Sequence, residues 1–303
     1  MKEPVVITIG GGKGGIGKST VVANIATMLS AKGFAVGLID ADLGGANLHL
    51  CVGVRRPKVS LQDYIAGQAK TLADVIVPTE IPKVWLISGS GHSSDLANLK
   101  FAQKQKVISH IRTLAADYVL IDLGAGTGNQ VIDFFAAFPW SVVVSDSLPT
   151  SIENTYGFLK NGISRGLQRL FPGDREIGAI VNQFASPKKD GAYATVDEML
   201  AAVAQHYPQH AHTMKEWLFS RKTFLIINMV KEQEDISTGK RFSELVKKYL
   251  SINLLYIGYV TYSPDVRTSI RAGKPLVLSS QPSKAKECFE AVTRNIVALT
   301  KGK

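Results

Sequence analysis

An apolar run, Val5-Val6-Ile7-Thr8-Ile9, breaks into glycines, and the chain then reads Gly12-Lys13-Gly14-Gly15-Ile16-Gly17-Lys18-Ser19. The next segment, Ser19–Lys32, places Val22, Ile25, Ala26 and Leu29 at helical spacing and stops at Gly33. A short buried strand that turns through glycines into a helix is the first half of a strand–helix–strand crossover. Such a unit commits the chain to a parallel sheet with helices packed on it. The octet fits G-x-x-x-x-G-K-S/T in the strand-to-helix context which that pattern requires. Glycines let successive N–H groups curl inward around phosphate, and the helix adds the positive end of its dipole. Gly12, Gly14, Gly15, Ile16 and Gly17 supply backbone to this loop, with Thr20 just inside the helix. Lys18 is expected to reach the β- and γ-phosphates and Ser19 to ligate Mg²⁺, so ATP and Mg²⁺ are the expected ligands. A dinucleotide-binding loop is a poorer reading, because it gives the lysine no role.

Further strands are expected at Phe34–Asp40, Val84–Ser88, Tyr118–Asp122 and Trp140–Ser145, with a helix across Lys100–Ala116. Beyond them, Ser151–Leu170 and Val196–His206 read as helices, and Ile177–Val181 as a strand or a buried helical turn. Phe224–Asn228 and Leu254–Val260 read as strands, Ser237–Tyr249 as an amphipathic helix, and Phe289–Leu299 as a closing helix. The alternation predicts an α/β fold: a mostly parallel, doubly wound sheet with helices on both faces and right-handed crossovers. Residues 1–303 are expected to form one domain, with a helical insertion at about Asn161–Lys222.

Acidic residues mark the strand ends. Asp122 closes Tyr118-Val119-Leu120-Ile121, where a carboxylate can face Mg²⁺ or its waters. Asp40 and Asp42 close Leu38-Ile39, and their side chains share a face if the strand continues. One of the two could hold the metal through water while the other orients an attacking water.

Composition narrows the class. The chain carries 45 % hydrophobic and 20 % charged residues, as a globular domain does, and lacks an apolar run long enough to cross a bilayer. The amino-terminal residues show no signal-peptide order, and Cys51 and Cys288 form no metal spacing, so a reduced, cytoplasmic protein is expected. The charge of +10 and pI of about 9.5 favour anionic partners without choosing among nucleic acid, lipid and acidic protein. The clusters Arg55-Arg56-Pro57-Lys58, Lys188-Lys189 and Lys247-Lys248 read as solvated faces.

Lys13-Gly14-Gly15-Ile16-Gly17-Lys18-Ser19-Thr20 resembles the deviant Walker A of the MinD/ParA family, with an extra lysine inside the loop. Asp40-Ala41-Asp42-Leu43-Gly44-Gly45-Ala46-Asn47-Leu48 resembles that family's first switch. Asp122-Leu123-Gly124-Ala125-Gly126 resembles its metal strand and second switch. Pro149-Thr150-Ser151 and Tyr259–Val266 add to the likeness, which covers nearly all the chain except about Asn161–Lys222. The switch sequences are nearer to the FlhG branch, the flagellar-number regulators, than to MinD, which usually has Ser-Pro-Ala-Gly after the metal aspartate.

The resemblance implies a slow, partner-stimulated ATPase that dimerises around ATP and acts in spatial regulation of flagella or of the division site. Lys13 would then reach the partner's nucleotide, Asp42 would position water, Asp40 would help hold Mg²⁺ and Asp122 would sense it. Asn228 would contact adenine, with Asn182 as the rival, and Asp265 would lie near base or ribose. The implied partners are a second copy of the chain, a protein activator, the inner face of the cell membrane and non-specific DNA. Alternatives on the same scaffold are a DNA-partition ATPase and a metabolic enzyme. An iron–sulfur reductase would need paired cysteines, which Cys51 and Cys288 do not offer.

Two surface readings remain. Phe289, Val292, Ile296 and Leu299 form an apolar stripe expected to dock on the sheet rather than lie on lipid. Trp217, Phe219 and Phe224 beside Arg221-Lys222 are expected in the core, and His206, His210 and His212 in solvent.

Overall fold

The structure is a computed structural model and describes residues 3–89, 101–186 and 192–301. The chain begins with β1 (Val5–Gly10), α1 (Lys18–Ala31) and β2 (Val36–Asp40). Short helices α2 (Leu48–Cys51) and α3 (Leu61–Ile65) precede β3 (Val77–Pro78) and β4 (Val84–Ile87). Then come α4 (Phe101–Ile111), β5 (Tyr118–Asp122), α5 (Asn129–Ala137) and β6 (Trp140–Ser145). Four helices follow without a strand: α6 (Pro149–Leu170), α7 (Arg175–Ala185), α8 (Val196–His206) and α9 (Pro208–Ser220). The last part holds β7 (Lys222–Val230), α10 (Gln233–Leu250), β8 (Leu254–Thr261), α11 (Asp265–Ala272) and α12 (Lys284–Thr300).

The strands form one sheet in the order β3-β4-β2-β5-β1-β6-β7-β8. Every pairing is parallel except that of β3 with β4 at the edge. Period-2 alternation splits each central strand between two cores. Val5, Ile7 and Ile9 face the layer of α1 and α12, whereas Val6 joins the larger cluster on the other face. Tyr118 and Leu120 divide from Val119 and Ile121 in the same way. A strand buried on both faces reads as an unbroken apolar run, which is why these elements were visible in the sequence.

The ladder sets the chemistry in place. Asp122 is opposite Ile9 on one side and Asp40 on the other, so two carboxylates stand together at the carboxyl end of the sheet, beside the loop that leaves β1. That end of a doubly wound sheet is where ligands bind. β2 itself stops at Asp40, so Asp42 belongs to the following loop and not to a continued strand.

The segment between β6 and β7 departs from expectation. Ile177–Val181 is helical: the Asp174 carboxylate accepts the N–H groups of Glu176 and Ile177, and Ile177, Val181 and Phe184 are buried along one face of α7. α6 runs unbroken through Asn161, which therefore marks no boundary, whereas Lys222 opens β7 directly after the four helices. The apolar stripe of α12 is sunk into the core, with Phe289, Val292 and Ile296 buried and Leu299 half-exposed. Phe224 is buried and Phe219 is 80 % exposed, contrary to its expected core place. Lys100, Lys188 and Lys189 lie outside the described residues. Among the described residues no helix is long and apolar enough to cross a membrane.

Candidate functional site

Gly15 and Gly17 take φ of 79° and 83°, the left-handed conformation that costs glycine nothing, and Gly17 caps α1. α1 has no acidic residue in its first turn, so nothing on the helix competes with an anion for its N–H groups. Gly12 meets a different demand. A Cβ there would stand 2.0 Å from the Asn154 carbonyl oxygen and 2.6 Å from the Thr155 nitrogen, because the α6 backbone presses against the loop. Gly12→Ala is therefore expected to cost about 2–3 kcal/mol by forcing backbone apart, read as a lower melting temperature together with weaker nucleotide binding.

Lys18 opens α1 and is 9 % exposed. Its Nζ donates to the Lys13 carbonyl oxygen at 3.4 Å. Burial draws its ammonium below the usual lysine range, and the charges of Asp122 and Asp42 oppose that shift. The Lys13 side chain is half-buried and is not part of the cleft wall. Ile16 is buried in the core behind the loop.

Asp40 is fully buried, and its two oxygens accept the N–H groups of Asp42 and Leu48, each at 3.1 Å. Asp122 is bonded to the Ser19 hydroxyl, while its Oδ1 is buried with no hydrogen-bond partner among the described residues. Burial raises both carboxyls above the usual carboxylate range, and the charge of Asp122 raises Asp40 further. Asp42 lines the cleft and accepts Gly45 N–H at 3.0 Å. A Cβ on Gly124 would crowd its carboxylate at 3.2 Å, so the two switch loops touch here.

These groups wall a cleft of about 470 Å³. One end holds Gly14, Gly15, Gly17, Lys18, Ser19 and Thr20 with the three aspartates. The other end is apolar, built by Leu50, Met229, Val260, Tyr262, Val266 and Ile270. An ionic end for phosphates joined to an apolar end for a flat ring is the shape a nucleotide asks for. Sequence reasoning missed the apolar wall, because its residues come from α2, β8, α11 and the end of β7 and share no local pattern. It also missed Gln130, whose Nε2 donates to the Ala41 carbonyl between Asp40 and Asp42.

A profile of the family described as "ParA: NUBPL iron-transfer P-loop NTPase" matches residues 3–155, half of the chain. The flagellum site-determining protein YlxH of Helicobacter pylori is 31 % identical over 231 residues, which span 71 % of this chain and 73 % of that protein. The chain belongs to the ParA/MinD family of P-loop NTPases. The antiactivator FleN of Pseudomonas aeruginosa is 27 % identical over 294 residues, 96 % of this chain and 85 % of that protein. The septum site-determining protein MinD of Pyrococcus horikoshii, solved as its Mg-ADP complex, matches with a TM-score of 0.65 at 21 % identity, covering 97 % of this chain and 96 % of that one. The stretch Asn161–Lys222 falls within the span shared with FleN, so the likeness is wider than the motifs alone suggested.

The family's remaining positions sort clearly. Between β7 and β8 the register shifts from Ile227 to Val230, and Met229 takes φ of 58°. This bulge turns Asn228 toward the loop, where its Nδ2 donates to the Ile16 carbonyl at 2.8 Å. Asn182 lies on α7, accepts from Gln168 Nε2 at 2.8 Å and does not line the cleft. Asp265 opens α11 and accepts from the Ser263 hydroxyl; it faces a neighbouring groove, and Ser263 and Val266 line the cleft instead. Among the described residues no group of three or more His, Cys, Asp or Glu gathers as metal ligands. Ser19, Asp40 and Asp122 still fit Mg²⁺. That ion keeps waters and takes phosphate oxygens, and the unpartnered Asp122 Oδ1 is the acceptor such a water needs.

Proposed function

We propose that this chain is an ATP-driven dimerisation switch that helps to set the placement or number of flagella. The observation that carries the nucleotide half is the buried pair Asp40 and Asp122 beside Ser19 and Lys18, with Asp122 Oδ1 left to accept a hydrogen bond. Magnesium, ligated by the Ser19 hydroxyl and reached by Asp40 and Asp122 through its waters, would neutralise charge on the β- and γ-phosphates. Lys18 and the loop N–H groups hold the triphosphate. Asp42, free of the sheet and at the cleft wall, orients the attacking water. Lys13, whose side chain stands outside its own cleft, acts on the nucleotide of a second copy, as an arginine finger does. The name of YlxH, a flagellum site-determining protein, supports the flagellar half. A protein activator, the inner face of the cell membrane and DNA are the candidate surfaces that the dimer would engage from the cytoplasm.

An iron-transfer role, which the family profile's name suggests, suits this chain poorly. Its two cysteines sit on α2 and α12, both buried. Burial, with Asp122 and Asp40 nearby, pushes the Cys51 thiol up to about 12 in the metal-free protein.

Light scattering after size exclusion tests the switch. Wild type is expected to be monomeric without nucleotide and partly dimeric with Mg·ATP. Asp42→Ala is expected to give a persistent dimer, with turnover lowered about 10²-fold or more. Absence of an ATP-dependent dimer in both proteins defeats the proposal. Turnover measured with DNA, with anionic liposomes and with neither then separates partition from membrane-cycling roles.

A further inference from the structure

A second cluster of charge lies outside the nucleotide cleft. Asp133 on α5 has a fully buried carboxylate. Lys104 from α4 pairs with its Oδ2, and Arg165 and Arg169 from α6 reach its Oδ1 at 2.8 Å each. Arg169 also donates to the Asp133 carbonyl oxygen at 3.2 Å. One cation neutralises one carboxylate. Among the described residues, and with Arg169 set aside, Lys104 and Arg165 bring two charges to one. Burial and the adjacent charge of Arg165 both draw Arg169 below the usual arginine range, against the pull of Asp133, so the two guanidiniums repel. Stability asks for no such surplus, since surplus cations in a partly desolvated place raise the energy of the fold. An anion brought from outside would relieve it.

The surplus opens into a groove. Arg112, Arg165 and Arg169 line a cavity of about 820 Å³ between α4, α6 and α9, and Ile108, Leu170 and Trp217 supply apolar wall. Trp217 is a fixed part of that wall. A Cβ on Gly166 would stand 2.1 Å from its ring, and the Arg221 guanidinium stacks 5.1 Å from its centre. Arg112 stands at the rim, where it donates to the Ala137 carbonyl at 3.1 Å, lies 5.4 Å from the centre of the Phe138 ring and pairs with the exposed Glu3 at 3.5 Å. No residue of this groove lines the nucleotide cleft.

We propose that the groove is a docking site for an acidic, amphipathic segment of a partner protein, carboxylates on Arg112 and Arg165 and apolar side chains against Ile108, Leu170 and Trp217. Charge complementarity argues for an acidic occupant. Recession argues for a narrow one: the Arg165 and Arg169 side chains are only 37 % and 21 % exposed. A bilayer or a duplex presents a broad face and meets side chains that protrude, whereas a single chain enters a groove between helices.

Fluorescence anisotropy tests this with a labelled twelve-residue peptide carrying glutamates at i, i+4 spacing and leucines on the same face, and with its glutamine counterpart. The acidic peptide is expected to bind the full chain in a salt-sensitive way and the glutamine peptide is not. Arg165→Gln and Arg112→Glu are each expected to weaken binding about tenfold. Gln105→Trp, which narrows the groove without touching a charge, is expected to weaken it as well, with unchanged circular dichroism and ATP affinity in all three. Lys18→Ala is expected to bind the peptide normally, so the groove stands or falls apart from the nucleotide reading. The proposal is overturned if the acidic peptide does not bind, if the three variants bind it like wild type, or if anionic vesicles or duplex DNA show the same dependence on these variants.

Discussion

Lys18→Ala is expected to lower ATP turnover by about 10²- to 10³-fold while leaving the fold intact. The side chain stands at the first position of α1, where alanine is an excellent helix former. Its ammonium is already disfavoured by burial, so removing it takes a costly charge out of the folded state. What is lost, on the proposed reading, is the Lys18 ammonium that would hold the β- and γ-phosphates. Neither the backbone N–H groups nor the dipole of α1 can follow charge as it moves toward the bridging oxygen. Single-turnover phosphate release measures the loss, and thermal unfolding within about 2 °C of wild type shows that it is chemical. Turnover within tenfold of wild type would remove Lys18 from the reaction and with it the proposed ATPase.

The sheet was legible because its information is local. β5 and β6 have the bounds that apolar runs alone predict, since a strand covered on both faces has no polar position to blur it. The phosphate loop was legible for the same reason, its glycines answering to φ and close approach at fixed offsets. Legibility fails where a position is set by distant partners. Ile177–Val181 has the composition of a strand, and the Asp174 cap with the burial of Phe184 makes it a helix. β3 is two residues long and exists only because β4 offers an edge. The resemblance implies Asn228 as the adenine contact, with Asn182 as the rival. The bulge that aims Asn228 at Ile16 is a register event between two strands and leaves no mark in either. The apolar end of the cleft, assembled from Leu50, Tyr262 and Ile270, is likewise a product of topology.

Asp133 was equally silent, an acidic residue in an unremarked stretch, yet its removal is expected to have the largest effect on stability. Asp133→Asn keeps the shape and deletes the charge, leaving Lys104, Arg165 and Arg169 to face one another around an uncharged amide. Breaking a buried ion pair from one side costs about 3–5 kcal/mol. In a chain of 303 residues that is a fall of roughly 5–8 °C in melting temperature. The sign of the pH dependence follows from the same cluster. Burial alone would raise this carboxyl, but Arg165, Lys104 and Arg169 together hold it below the usual carboxylate range. A folded value below the unfolded value of about 3.9 stabilises the protein at every pH above that value. The contribution is lost as pH falls through the folded value. Wild type should therefore lose part of its stability below about pH 4 through this residue, and Asp133→Asn should lack that component of the acid limb. Chemical denaturation at pH 7 and pH 3.5 reads both effects. Equal midpoints for the two proteins at pH 7 would mean that the three cations are satisfied without Asp133, and the surplus of charge on which the groove depends would vanish with it.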